Sequence, residues 1–326
     1  MIACVYGRAF APFVETVAKD LCAAAAALGG DMRALTLESA MADPAACAVI
    51  RRLYVLPFDP PPPLTAAAVI HDIFPHAELV TSVALQDLCW DKVATQELLL
   101  ERGVPVPDTV VSAEPADVHQ FVRQHQFAVL KERYGCGGQG HIVVWFDGDD
   151  LVGDSGSHQY KIDLVPHGQR RLHGERLEYP GPFYLQRLVA DIGRRVSPGQ
   201  VLRAYVVDSQ IIFWTERYRE RYRRPADWII NVGLGAKYRF LQDLSEEAKK
   251  IAIRTAEVVG VRIAAVDIIR TGSAGPYVLE VDTDSHHMLI DRQFKAIPEY
   301  REFFNLEHYI AETVLAEPPP PWRPQR

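Results

Sequence analysis

Residues 263–282 read IAAVDIIRTGSAGPYVLEVD, and their reading decides the fold. Two apolar runs flank a glycine- and proline-containing turn, which predicts strands over 263–270 and 277–282. Strict alternation in the second strand puts Val278, Glu280 and Asp282 on one face and Tyr277, Leu279 and Val281 on the other. Asp267 lies in the middle of the first strand, where an ionised carboxylate is costly unless it is paired or bound to metal. If the strands are neighbours, three carboxylates converge into the oxygen-only ligand set that Mg²⁺ prefers. The same spacing also allows Asp267 to pair with an arginine such as Arg203 while Glu280 and Asp282 face solvent. Spacing alone leaves both readings open.

Upstream, the pattern predicts a helix over 246–259, capped by Ser245 and stopped by Gly260, with Ala248, Ile251, Ala252, Thr255 and Val259 on one face. Strands are predicted at 184–189, 201–207 and 210–215. Another pair, 127–131 and 142–146, reads as a hairpin with a loose connection. Lys131 ends its first strand and is followed by Gly135, Gly137, Gly138 and Gly140, a loop able to turn backbone N–H groups toward phosphate. Neither the Walker spacing nor GxGxxG is matched, so an ordinary hairpin turn is the competing reading. Residues 147–182 are polar and rich in Gly, Asp and His, and predict one strand and a mobile loop. Residues 87–102 have helical periodicity, end at Gly103 and run into an extended Val104-Pro105-Val106-Pro107. The N-terminal part reads strand 2–6, helix 13–28, strands 33–36 and 53–57, a proline run at 60–63 and a helix over 65–74, a βαβ-like start.

The chain has 326 residues, 48% apolar and 24% charged, a globular composition with room for several lobes. A net charge of −7 leaves no overall basic field for a polyanion, which argues against nucleic acid as the main partner. Five scattered cysteines form no CxxC pair or disulfide framework, which predicts a reducing, cytoplasmic setting. The alanine-rich run 21–28 lacks the flanks of a signal peptide, and no segment reaches the roughly 20 apolar residues of a membrane span. The expected division is 1–80, 81–182, 183–315 and a proline-rich tail, 316–326.

The order of features over about 81–295 resembles the ATP-grasp superfamily, and within it the ribosomal-protein glutamate ligases and related peptide-modifying carboxylate–amine ligases. The resemblance is carried by Asp91-Lys92 with Thr95 and the 103–107 exit, Val129-Leu130-Lys131 and its glycine loop, Leu185-Gln186-Arg187-Leu188-Val189, Val266-Asp267-Ile268-Ile269 and Leu279-Glu280-Val281-Asp282. It implies an α/β chain with the ATP-grasp fold behind an N-terminal Rossmann-like domain, and ATP with Mg²⁺ (or Mn²⁺) as cofactors. It further implies that Lys92 and Lys131 contact the phosphates, with Gly137, Gly138 and Gly140 in a lid over them. Gln186, Arg187 and Leu188 would form the hinge beside adenine, and Asp267, Glu280 and Asp282 would hold the metal. Arg203 and Arg217 would lie near the transferred phosphoryl group and the substrate carboxylate, and Asn231 near the metals. The implied reaction joins a carboxylate-bearing small molecule or peptide to an amine acceptor through an acyl phosphate. Partners are therefore small molecules or peptides, with neither nucleic acid nor membrane expected and self-association left open.

The chain departs from that branch at Asp282, where asparagine is usual, at Ile230, where a polar residue is common, and at 283–287, where Thr-Asp-Ser-His-His replaces a small residue, proline and glycine. His286 and His287 are candidates for an acceptor-side base, with packing against the lobe as the competing reading; no further His or Cys is spaced to make zinc of them. Cys136 reads as a small loop residue. The basic run 217–224 (RYRERYRR) reads as a solvated segment able to hold an acidic peptide or phosphate. Two other functions fit the motifs: a kinase using the same grasp on a hydroxyl, and a non-catalytic ATP-binding regulator.

Overall fold

The computed structural model describes residues 1–7, 11–56, 70–134, 140–192, 196–231, 234–241, 243–283 and 305–316. The first lobe is a parallel sheet in the order β2-β1-β3-β4, built from β1 (Ile2–Tyr6), β2 (Met32–Thr36), β3 (Arg52–Val55) and β4 (Glu78–Leu79). Both faces are covered, which is why β1 reads as an unbroken apolar run. Cys4 and Tyr6 meet Val17 and Leu21 of α1 (Ala11–Ala27), while Ala3 and Val5 meet Leu53, Val55 and Ile70 on the other side. Two short helices, α2 (Leu37–Ala42) and α3 (Pro44–Cys47), follow β2. Of the helix expected over 65–74, residues 70–73 are helical and 65–69 lie outside the described residues.

The single helix expected over 87–102 is two: α4 (Val83–Trp90) and α5 (Lys92–Glu101). Asp91 separates them, with extended backbone at φ −82°, ψ 95°, and its carboxylate accepts the Val93 and Ala94 amides at 3.1 Å each. The cap satisfies two otherwise orphaned donors and makes Lys92 the first helical residue. Periodicity continues across the break, so the sequence hides it. Both helices pack on the C-terminal lobe, Cys89 and Leu99 joining one core with Ala252, Val266 and Val281.

The second lobe is an eight-stranded sheet, β10-β11-β9-β8-β7-β6-β12-β5. Its strands are β5 (Thr109–Ser112), β6 (Phe127–Lys131), β7 (Ile142–Asp147), β8 (Asp150–Asp154), β9 (Gln159–Val165), β10 (Arg171–His173), β11 (Arg176–Pro180) and β12 (Phe183–Arg187), with α6 (Pro115–His125) on one face. Residues 147–182 thus hold four strands, not one strand and a loop. All are short; β8, β9 and β11 bury a few apolar side chains, such as Leu151, Ile162, Leu177 and Tyr179, β10 is exposed throughout, and the turns between them carry glycine at positive φ (Gly148, Gly156, Gly168, Gly174). Such half-buried strands give little periodic signal.

After the small hairpin β13 (Ala190–Ile192) and β14 (Val196–Pro198) comes an antiparallel sheet, β17-β16-β15-β18-β19. It comprises β15 (Gln200–Val207), β16 (Gln210–Tyr218), β17 (Lys237–Phe240), β18 (Ile263–Arg270) and β19 (Tyr277–Asp282). One face is covered by α7 (Glu246–Val259), which begins where Ser245 Oγ accepts the Ala248 amide and ends at left-handed Gly260, φ 83°. The final helix, α8 (Leu306–Leu315), packs Ile310 and Val314 into one core with Leu21 of α1 and Phe213 of β16. That contact joins the first and last lobes. The other face of the five-stranded sheet packs Tyr205, Val207, Ile263 and Ala265 into that same core at one end, and at the other end faces a cleft that the eight-stranded sheet also lines. Among the described residues, no helix is long and apolar enough to cross a membrane.

Candidate active site

Pairing puts Asp267 of β18 directly opposite Arg203 of β15 on one side and Glu280 of β19 on the other. The β18–β19 register slips between Asp267 and Ile268, so Leu279 is an extra residue on β19. This bulge overturns the face assignment made by simple alternation. Val278 lies with Val281 in the core under α7, whereas Tyr277 and Leu279 pack with Ile269 at the cleft, next to Glu280. An inserted residue re-aims the side chains that follow it, and here it keeps Val278 buried while turning Glu280 into the cleft.

The three carboxylates converge and Asp267 also pairs with Arg203, whereas Glu280 and Asp282 meet cations rather than solvent. Oxygens of Asp267, Glu280 and Asp282 lie within 4.8 Å of one another. Asp267 is also the hub of an ion cluster: Arg203 Nε and Nη2 donate to its two oxygens at 2.6 and 2.9 Å, and Arg217 Nη1 is 2.8 Å from Oδ2. Arg203 Nη2 donates to Asp282 as well. All three members of the hub are buried, Asp267 at 2% exposure. Burial pushes the Asp267 carboxyl up, but Arg203 and then Arg217 outweigh it and hold it below the usual carboxylate range.

Lys92, at the start of α5, reaches Glu280 at 3.3 Å. Lys131, at the end of β6, donates to Gln186 Oε1 on the neighbouring β12. Loss of water around the Lys131 ammonium brings it down to about 8; Glu280 and Asp267 oppose the shift and Lys92 adds to it. His141, at the mouth of β7, lines the same cleft and is held well below its ordinary value by burial, then by Lys131 and Lys92. Sequence reasoning passed over His141. Its position one residue beyond the glycine loop was the available signal. Among the described residues, buried Nδ1 of His141, Nε2 of Gln186 and Nε of Arg217 have no hydrogen-bond partner.

Of the residues singled out in the sequence, Lys92, Lys131, Gln186, Arg187, Leu188, Arg217, Asn231, Asp267 and Glu280 line one cleft. Arg203 and Asp282 join it through the ion cluster. The departing residue Ile230 lines it too, beside Trp228 and Ile229. Gly140 has φ +74°, and a Cβ there would fall 2.6 Å from Glu132 Oε1, so this end of the loop requires glycine. Gly137, Gly138, Cys136, His286 and His287 lie outside the described residues. The amides of Arg187 and Leu188 already donate to Asp108 O at 2.8 Å and Phe127 O at 3.3 Å. The apolar walls of the cleft include Val129, Leu188, Val201, Ile269 and Leu279.

Residues 193–297 match a family model described as the RimK-like ATP-grasp domain. The tetrahydromethanopterin:alpha-L-glutamate ligase of Methanocaldococcus jannaschii is 26% identical over 198 residues, 60% of this chain and 59% of that one. The match thus spans about three fifths of that relative's length. Among solved structures, the ATP-grasp ligase PsnB complexed with precursor peptide PsnA2 and AMPPNP superposes with a TM-score of 0.62 at 16% identity over 96% of each chain. A RimK domain ATP-grasp protein from Sphaerobacter thermophilus does so with a TM-score of 0.59 at 18% identity, covering 97% of this chain and 99% of that one. This chain has the ATP-grasp fold, and the resemblance to the glutamate-ligase branch read from its sequence is borne out.

Proposed function

We propose that the protein is an ATP-dependent carboxylate–amine ligase that forms an amide through an acyl phosphate on an amino acid, peptide or protein. The observation that carries the reading is the set of three carboxylates, oxygens within 4.8 Å, facing Lys92 and Lys131 in one cleft. Oxygen-only donors suit Mg²⁺, so Asp267, Glu280 and Asp282 would hold it, and bound Mg²⁺ would neutralise charge on the β- and γ-phosphates. The unpartnered buried atoms of Gln186, His141 and Arg217 support a polar ligand in the same space.

The chain's own residues then have separable tasks. Lys92 and Lys131 bind the phosphates, and the apolar walls hold the base. Arg203 and Arg217, bonded to Asp267, can exchange those bonds for the substrate carboxylate and the transferred phosphoryl group, with Asn231 beside them. The substrate carboxylate oxygen attacks the γ-phosphorus and ADP leaves. The amine then attacks the acyl carbon, inorganic phosphate leaves, and the ammonium proton passes to a base. This transfer depends mainly on positioning and charge neutralisation, and excluding water protects the acyl phosphate. The test is ATP-dependent hydroxamate formation in hydroxylamine, with free amino acids and glutamate-containing peptides as carboxylate donors. Hydroxamate together with ADP is expected. ADP release that depends on an added hydroxyl compound, with no hydroxamate, would replace the ligase by a kinase.

A further inference from the structure

The segment leaving β16 carries Arg219, Arg221, Arg223 and Arg224, and the neighbouring β17 adds Lys237 and Arg239, six cationic side chains in a chain whose net charge is −7. Four local acids match four of them. Glu216 takes Arg239 in a two-point bond at 2.8 and 2.9 Å, and Glu220 takes Lys237 at 2.6 Å. Asp227 takes Arg219 at 3.6 Å, and buried Asp154 faces Arg224 at 3.8 Å. Arg221 and Arg223 remain, exposed and with no carboxylate partner among the described residues.

The loop that displays them is built rather than loose. Asp227 Oδ2 accepts the amides of Arg223 and Arg224 at 2.8 and 3.2 Å. Asp154, fully buried in β8 of the other lobe, accepts the Ala226 amide at 3.2 Å. Arg219 Nη2 donates to Leu234 O, and Tyr222 Oη accepts the Arg219 amide at 3.3 Å. Both ends of the loop belong to the cleft, since Arg217 precedes it and Trp228 to Asn231 follow it. A buried carboxylate from one lobe therefore fixes a surplus of positive charge at the rim of the cleft.

We propose that the loop 219–224 is a docking site for an acidic peptide, with Arg221 and Arg223 binding carboxylates that neighbour the reacting one. This rests on the ligase reading for what happens in the cleft, but not for the binding itself. Guanidinium forks match carboxylates in two-point bonds. Arg221 is four residues from Arg217, hence at most about 14 Å along the chain, and Arg221 and Arg223 are at most about 7 Å apart. A peptide with acidic residues about two to four positions from the reacting carboxylate spans that distance. Two surplus arginines suit two carboxylates, and a chain of net charge −7 offers no extended basic field for a nucleic acid backbone.

The experiment measures binding of fluorescent hexaglutamate and hexaglutamine to the full chain by anisotropy, at low and high salt, without turnover. Wild type is expected to bind hexaglutamate and not hexaglutamine, with affinity falling as salt rises. The Arg221→Ser/Arg223→Ser variant should lose on the order of tenfold, and the Lys/Lys variant less, because exposed pairs are worth little singly and lysine keeps the charge. ATP affinity should be unchanged in both variants, which reports that the cleft is intact. Equal hexaglutamate binding by wild type and the Ser/Ser variant, or none by wild type at low salt, would overturn the proposal. So would tighter, arginine-dependent binding of an oligouridine probe, which would make the loop an RNA site. A failed hydroxamate assay with these binding results intact would instead refute only the ligase.

Discussion

The two ends of the cleft are built on opposite electrical plans. At the carboxylate end, Asp267 is locked by Arg203 and Arg217, Asp282 by Arg203, and Glu280 by Lys92. At the lysine end, among the described residues, Lys131 bonds to neutral Gln186 alone, and Gln186 Nε2 and His141 Nδ1 have no partner. The first end can fold without its ligand because each buried charge is compensated. The second carries a desolvated cation and orphaned polar atoms that an anionic nucleotide would satisfy. Stability is therefore concentrated where the metal would bind, and unmet binding capacity where the phosphates would.

Removing Asp267 should produce the largest effect, because it takes the carboxylate from buried Arg217 and leaves buried Arg203 with Asp282 alone. Asp267→Ala is expected to cost about 3–5 kcal/mol of folding stability, the usual result of breaking a buried ion pair from one side. Urea unfolding measures it. A loss below about 1 kcal/mol, the range of exposed pairs, would break the contrast between the two ends.

Glu280→Gln separates charge from shape. Glu280 is only partly buried and the substituted amide keeps an oxygen within reach of buried Lys92, so the fold should persist. Turnover should fall on the order of 10²–10³-fold, as when one electrostatic contributor to a phosphoryl-transfer site is removed. A folded Glu280→Gln variant with ordinary Mg²⁺-dependent ADP release would remove this acid from the metal set.

At the lysine end the sign reverses. Lys131→Met should weaken ATP binding by about 2–4 kcal/mol, since a cation leaves a partly desolvated phosphate site. It should also make the ligand-free protein more stable near neutrality. The folded-state ammonium sits at about 8, below the ordinary lysine value, so the folded form holds this proton less tightly than the unfolded chain. The penalty is full below about pH 8 and fades as pH climbs toward the ordinary lysine range, so wild-type stability should rise across that window. Unfolding curves for both proteins, taken on either side of pH 8, test this. Equal destabilisation by Lys131→Met and Asp267→Ala would mean that the two ends do not differ.

What the sequence disclosed and what it hid follow from how far each signal reaches. Helix 246–259 with its Ser245 and Gly260 stops, and strands 263–270 and 277–282, agree with the structure at their ends because caps, turns and apolar runs are local. The ordered motifs also brought the lysines, arginines and acids to one cleft. The bulge at Leu279 was hidden, since it exists only in the pairing of two strands and leaves the spacing of Glu280 and Asp282 unaltered. The break at Asp91 was hidden by continuing helical periodicity, although an aspartate ahead of Lys92 is a recognisable cap. His141 carried no motif of its own, and only the fold of the hairpin around the glycine loop turns it toward the lysines.

Gln186→Glu should give the smallest effect and the finest test of the contrast. Gln186 is 2% exposed, its Oε1 accepts from Lys131 and its Nε2 is unpartnered. Replacing that nitrogen by an anionic oxygen gives Lys131 the charged partner it lacks, making the lysine end resemble the carboxylate end. An opposite charge at hydrogen-bond distance favours the ammonium form, so the Lys131 proton should be held more firmly by about one pH unit or more. The added negative charge also repels a polyphosphate, and a donor is lost from the cleft. ATP affinity at neutral pH should therefore fall roughly tenfold, while the weakening of binding above about pH 8 moves to higher pH. Calorimetric titration of ATP across that range reads both quantities. A variant that loses affinity with no displacement of the pH profile would show that Gln186 serves as a donor alone, and that the deficit of charge at this end does not set the behaviour of Lys131.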